Sequence, residues 1–257
     1  MLVYTFDRTL DGVLSAVFDA YSLRQRPDVL IGEGDQLPLF CDESHRVDTT
    51  EEKARRVWAG MERHLSHEAL RMLTVSYLSE DSTLNTPLFN YIYKVFQQRK
   101  SIERNFADPD VLFVTNMARR VMHERLRMMQ FVRFQKAADG TYLGVVRPDH
   151  NVLPLVIDHF RDRFRDQSWL IYDVRRHYGY YFDRQEVTRV TFEDSDALPF
   201  DQQTGRLSDD LLSADDQLFQ RLWRTYFKAI CIRERINPKK QRSDMPRRYW
   251  AYMIEKQ

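Results

Sequence analysis

The sequence predicts an α+β fold on three observations. A short apolar run, Leu2 to Phe6, leads directly into a helical pattern; several long amphipathic stretches begin at helix start signals; and in the middle of the chain the hydrophobic period falls from about 3.6 to two. At 257 residues and 43% hydrophobic, the chain can bury one substantial core or two smaller ones. The expected layout is an N-terminal strand–helix unit and helical region over 1–83, then an α+β domain over 84–257. That second part is an antiparallel ββαββ(β) lobe with C-terminal helices, and the whole is expected to pack as one unit.

Taken in order, Asp7 can cap a helix carrying Leu10, Val13, Leu14, Val17 and Tyr21 at helical spacing. Glycines, prolines and acids from Arg24 to Thr50 read as an irregular connection, closed by Asp48–Thr49–Thr50 ahead of a helix with Ala54, Val57, Trp58 and Met61. A further helix is expected over Ser66–Leu78. Thr86–Pro87 and Asp108–Pro109 open two more, because proline suits the first turn, where its missing N–H is not needed. The second of these sets Val111, Val114, Ala118 and Val121 on one face and Asn116, Arg120, His123 and Arg127 on another.

From Met129 the pattern alternates, and Ala138–Thr141 supplies a turn before Tyr142–Arg147, which predicts a β-hairpin. Pro148–Asn151 leads into an amphipathic helix with Leu153, Val156, Ile157, Phe160 and Phe164. Trp169–Val174 and Tyr178–Phe182 read as an antiparallel pair, with Glu186–Phe192 as a further strand. A last strong helix places Phe219, Leu222, Trp223, Tyr226, Phe227 and Ile230 inward and Arg221, Arg224 and Lys228 outward, and Asn237–Pro238 ends it.

Charge is balanced overall at +1 but segregated along the chain. Acids cluster over 27–52 and 193–216, bases over 119–136, 161–176 and 221–248, so any attraction to an anionic polymer must come from local patches. Cys41 and Cys231 are far apart and in no CxxC spacing, which argues against a disulfide framework, a cysteine zinc site or an iron–sulfur cluster in this chain. A reducing cytoplasm is the expected setting. No leader pattern and no apolar run long enough for a bilayer are seen, so no membrane association is expected.

The candidate binding residues are mostly basic. Near the end, INPKKQRSDMPRRYW brings Lys239, Lys240, Arg242, Arg247 and Arg248 beside Tyr249 and Trp250, the mixture that neutralises phosphates and stacks on bases. The plainer alternative is that the aromatics anchor the C-terminus and the cations are solvated. Arg119, Arg120 and Arg127, extended by Arg133, and the pair Arg175–Arg176 at a strand turn invite the same comparison, with salt bridges as the mundane use. Among carboxylates, Glu124, Asp149 and Asp173 are the candidates for acid–base chemistry; pairing with nearby arginines, or helix capping by Asp149 and Asn151, is the commoner role. Asp149, His150, Asp158 and His159 form the tightest carboxylate–imidazole group. No metal-ligand spacing, phosphate-cradling glycine loop or GxSxG elbow is present, so no cofactor is implied by the residues.

The runs YTFDRTLDGVLSAVFDAY, HERLRMMQFVRFQ, RPDHNVLPLVIDHFRDRFRDQSWLIYDVRRHYGYYFD and INPKKQRSDMPRRYW resemble the bacterial family called "probable DNA metabolism protein", which carries domain of unknown function 4130. The resemblance is most specific from Leu84 onward, in D-x-x-x-L-P-L-x-x-x-H-F-x-x-R-F-x-D-Q-x-W and M-P-R-R-Y-W. It implies a protein encoded beside a radical SAM protein of suspected DNA modification or repair role, and a domain joined elsewhere to a uracil-DNA glycosylase-like protein. It carries no catalytic residues across, and with two cysteines any radical SAM chemistry belongs to a partner. Three readings stay open: a DNA-binding accessory protein; a glycosylase-like enzyme that flips a base against Tyr178, Tyr180 and Tyr181; and a protein-interaction subunit whose acidic segment meets a basic partner.

Overall fold

A computed structural model of the protein describes residues 1–98, 101–192, 199–208, 210–229 and 237–256. The chain falls into two compact units, Met1–Met122 and His123–Gln257.

In the first unit, β1 (Leu2–Phe6) is followed by α1 (Leu10–Ser22), β2 (Val29–Gly32) and β3 (Glu43–Arg46). β1 lies between the other two and is parallel to both, with Tyr4 opposite Leu30 on one side and His45 on the other. The segment expected to be irregular therefore holds two strands. β2 is only four residues long and flanked by turn formers, and β3 reads ESHR, polar and largely exposed, so neither carries the apolar alternation that marks a strand. The cap of α1 also differs from expectation. Thr9 accepts from the Gly12 N–H at 2.9 Å, while Asp7 accepts from the Thr9 N–H and hydroxyl, one step back.

Helices α2 (Glu51–Glu62) and α3 (His67–Tyr77) begin where Thr50 and Ser66 cap them, as the sequence predicts. A short 3₁₀ turn, Ser82–Leu84, precedes α4 (Asn85–Gln97). α5 (Pro109–Phe131) starts at Asp108–Pro109 and carries the chain from the first unit into the second. Its predicted apolar face, Val111, Val114, Ala118 and Val121, is buried, and Arg120 and His123 are exposed. Lys94 on α4 meets Asp108 at 2.6 Å and Asp110 at 2.7 Å, which fixes the start of α5. Tyr4, Phe6, Val13, Val17, Phe89 and Ile92 belong to the core of this unit.

The second unit carries β4 (Phe134–Lys136), β5 (Tyr142–Val146), α6 (Leu153–Arg163), β6 (Trp169–Asp173), β7 (Tyr178–Phe182) and β8 (Val187–Val190). They form one sheet in sequence order, β4-β5-β6-β7-β8. The hairpins are antiparallel, but β5 and β6 run parallel, so the sheet is mixed. The reason is α6, a crossover that returns the chain to the end of the sheet it left. α5 persists to Phe131, past Met129, where alternation was read. One sheet face packs Leu143, Val145 and Tyr172 against Phe200, Leu207 and Leu212; on the other, Trp169 meets Phe160 of α6 and Phe182. Covered on both faces, β6 reads as the near-continuous apolar run WLIYD.

α7 (Ala214–Ala229) corrects another expectation: Phe219 is 64% exposed and Leu222 54%, with Leu218 and Trp223 also open, so these residues do not point inward. The side chains of Tyr226, Phe227 and Lys228, and Ile230, Cys231 and residues 193–198, lie outside the described residues. The expected helix end at Asn237–Pro238 falls after residues 230–236, which lie outside the described residues; Asn237 itself opens a helix. It caps α8 (Pro238–Asp244), accepting from the Lys240 N–H. Two 3₁₀ turns, Arg247–Tyr252 and Ile254–Lys256, finish the chain. No helix among the described residues is long and apolar enough to cross a membrane.

Candidate functional site

In the second unit, seven of the candidates meet around the loop Pro148–Asn151, which lies between β5 and α6. Glu124, on the last turns of α5, is 1% exposed and accepts hydrogen bonds from the Asp149 N–H at 3.0 Å and the His150 N–H at 2.7 Å. From the far end of the chain come the Tyr249 hydroxyl at 2.8 Å and the Arg248 Nη2 at 2.9 Å. Arg248 also reaches the Asp149 carboxylate at 2.8 Å.

The turn between β6 and β7 grips the same loop from its carbonyl side. Arg175 Nη1 donates to the Asp149 carbonyl at 2.8 Å, and Arg176 to the carbonyls of Pro148 at 3.2 Å and Asp149 at 2.9 Å. Arg176 is itself held by Asp173, which is fully buried, at 2.8 Å. Asp173 also accepts from the Arg175 N–H at 2.8 Å. The Tyr178 hydroxyl closes the ring by donating to the Asn151 side chain. Asn151 and Asp149 therefore do not cap α6, whose start has no side-chain cap.

These contacts decide the protonation states. Burial alone would raise the Glu124 carboxyl, but the two loop N–H groups, Tyr249 and Arg248 outweigh it and hold the group below its ordinary value. Burial wins at Asp173, raising its carboxyl despite Arg176. Burial and the adjoining Glu124 carboxylate raise the Tyr249 phenol, which stays a donor. Glu124 and Asp173 thus both accept hydrogen bonds from the protein's own donors. Asp149 is half-exposed but lies between Arg248 and, at 3.8 Å, Arg175. Asp158 pairs with Arg161 at 3.1 Å, and the His159 ring meets Phe160 edge-on, so the sequence-adjacent carboxylate–imidazole group resolves into separate contacts. No group of three or more His, Cys, Asp or Glu among the described residues could hold a metal ion.

The remaining basic candidates divide. Arg133 forms an ion pair at 2.6 Å with Glu255, whose carboxyl is pulled below its ordinary value because Arg133 outweighs burial. Glu255 also accepts from the Trp223 indole at 3.2 Å. Sequence reasoning missed Glu255, since nothing local distinguishes it from any terminal carboxylate. Lys240 pairs with Asp244 one turn on, at 2.8 Å. Lys239, Arg242 and Arg247 are exposed, and among the described residues none has a carboxylate partner. Arg247 stands over the Trp250 ring at 5.8 Å, and Trp250 is tied to the Met245 carbonyl at 3.0 Å, so this aromatic is anchored and half-buried. Tyr249 is buried. Arg127 is half-buried; in the first unit Arg119 and Arg120 are exposed.

Comparison with known proteins adds a family and little else. No curated protein matches the chain. A solved structure, the pGpG-specific phosphodiesterase PggH from Vibrio cholerae, aligns at 11% identity over 89% of this chain and 99% of that one, with a TM-score of 0.31. The family described as a domain of unknown function, DUF4130, matches residues 82–255, which takes in α4, α5 and the whole clamp around Pro148–Asn151. That match spans more than half of the sequence, and the chain belongs to the DUF4130 family.

Proposed function

We propose that this chain is a non-catalytic DNA-binding accessory protein of DNA repair or modification, which holds the nucleic-acid backbone while a partner performs the chemistry. The family resemblance of its sequence implies a radical SAM protein as that partner. One observation carries the reading: the cations of the second unit separate into a set neutralised inside the fold (Arg133, Arg176, Arg248) and a set left open (Lys239, Arg242, Arg247). Open cations near a phosphate chain release its condensed counterions, which gives affinity without sequence readout. Arg119 and Arg120 add open charge in the first unit. The engagement of Glu124 and Asp173 by the protein's own donors supports the non-catalytic part.

Anisotropy titration of labelled duplex and single-stranded oligonucleotides tests it, with uracil-containing strands in parallel for turnover. Binding that weakens with added salt, without base release, is the expected result. Base release abolished by Asp149→Asn would instead select the glycosylase-like reading. A second reading, a protein-interaction subunit, is favoured by the open apolar side of α7, where Leu218, Phe219 and Leu222 face solvent.

A further inference from the structure

The first unit contains a cavity of about 400 Å³ between α3, the 103–106 loop and α5. That volume falls within the roughly 300–1,000 Å³ of small-molecule sites. Its floor is apolar and sulfur-bearing: Val75 and Ala118 are buried, and Met72 and Met122 are half-buried beside them. Thr115 closes the bottom, its hydroxyl donating to the Val111 carbonyl at 2.8 Å and approaching the Met72 Sδ at 3.3 Å, so it offers little to a polar guest.

The mouth has a different chemistry. Phe106 stands 48% exposed at the rim, and its ring meets no other aromatic ring among the described residues. Arg71, Arg104 and Arg119 surround the opening, exposed, with no ion-pair partner among the described residues. Two carboxylates also line the cavity, Glu68 and Glu103, the second held by the Ser66 N–H at 3.0 Å, so three guanidinium groups stand against two carboxylates and the edge keeps a positive excess. An apolar slot with one open aromatic face and a cationic edge suits a planar ring that carries an anion. Methionine sulfur and a phenyl ring are good surfaces for a flat heterocycle, and guanidinium forks match phosphate oxygens.

We propose that this cavity binds a nucleotide, its base against Phe106, Met72 and Met122 and its phosphate between Arg71, Arg104 and Arg119. The same chemistry is presented by a free mononucleotide and by the phosphorylated end of a strand. The site lies in the first unit and shares only Arg119 with the DNA-backbone reading; Phe106, Arg71 and Arg104, which its test alters, take no part in that reading, so failure of one is distinguishable from failure of the other.

Calorimetric titration of the full chain with AMP, adenosine, inorganic phosphate and decanoate tests the proposal. Saturable AMP binding is expected, tighter than that of adenosine or phosphate alone. Phe106→Ala should weaken it about tenfold, a typical loss for one stacked base. The double substitution Arg71→Ala with Arg104→Ala should remove the advantage of AMP over adenosine. Both changes are on exposed side chains, and an unchanged circular dichroism spectrum confirms that the variants fold. Competition by a 5′-phosphorylated but not a 5′-hydroxyl oligonucleotide identifies a strand end as the source; displacement by mononucleotides alone identifies a free nucleotide. Decanoate binding in preference to AMP, AMP binding no tighter than phosphate, or AMP affinity unaltered in both variants would overturn the proposal.

Discussion

Tyr249 donates a buried 2.8 Å hydrogen bond to Glu124, a residue 125 positions earlier in the chain. The bond ties the C-terminal 3₁₀ turn to the end of α5, and the same carboxylate holds the two N–H groups of the Pro148–Asn151 loop. Three distant segments are thus fastened by one acid, whose removal should be felt in all of them.

Replacing Glu124 by Gln leaves Arg248 without its buried counter-charge and turns one amide N–H₂ toward existing donors. A loss of about 3 kcal/mol in the unfolding free energy of the second unit is expected, as for other buried pairs broken on one side. Tyr249→Phe should cost about 1–2 kcal/mol. Urea titration followed by tryptophan fluorescence checks both. The double variant should lose clearly less than the sum, because the two share a bond.

The pH dependence follows from the directions of the shifts. Glu124 is held below its ordinary value in the fold, so its contribution is complete above the unfolded-state value of 4.5 and is lost as pH falls through the lower folded value. Asp173 is raised, so its contribution has the opposite sign: it is complete below 3.8, the unfolded-state value, and lost as pH rises through the folded one. The stability gap between the native chain and Glu124→Gln should therefore narrow on acidification below about pH 4.5. Unfolding midpoints measured between neutral pH and pH 3 would show it, and a gap that widens would contradict the assignment.

Gly179 sits on β7 where an added Cβ would lie 2.5 Å from the Ile171 carbonyl oxygen and 3.1 Å from the Tyr172 Cα. Both are backbone atoms of the paired strand, so Gly179→Ala should destabilise by about 2–3 kcal/mol. Gly140, with φ of +89° and nothing within 4 Å, should lose only about 1 kcal/mol from backbone strain on the same change. Thermal melts of the two variants rank them.

The apolar side of α7 gives a separate test. Phe219→Glu changes a side chain 64% exposed, so folding stability should stay within about 0.5 kcal/mol of the native value. If α7 receives a protein partner, the variant should lose that complex in co-purification while keeping its DNA affinity.

Local signals in the sequence were enough for most of the framework. Thr50, Ser66 and Asp108–Pro109 start helices through contacts within a few residues, and the hairpin turn at 138–141 is equally local. What escaped was non-local. ESHR becomes β3 only because β1 supplies its hydrogen bonds, and the parallel pairing of β5 with β6 depends on the path of α6. The same holds for the site. Glu124, Asp149, Asp173, Arg175, Arg176, Arg248 and Tyr249 stood out as chemistry-bearing residues, and the pairing of Asp173 with Arg176 three positions on was legible as the commoner role of a carboxylate near arginines; that Glu124 would meet Arg248 and Tyr249, more than a hundred positions away, was not. Phe219 and Leu222 show the converse, a helical apolar stripe that is not core.

The separation of inner from open cations is tested most directly by the salt dependence of DNA affinity for the native chain and for Lys239→Ala/Arg242→Ala/Arg247→Ala. The slope of log affinity against log salt should flatten by about 0.9 for each phosphate contact removed, roughly 2–3 in total, with folding intact. A slope identical in the two proteins, or no salt-dependent binding by the native chain, would contradict the account.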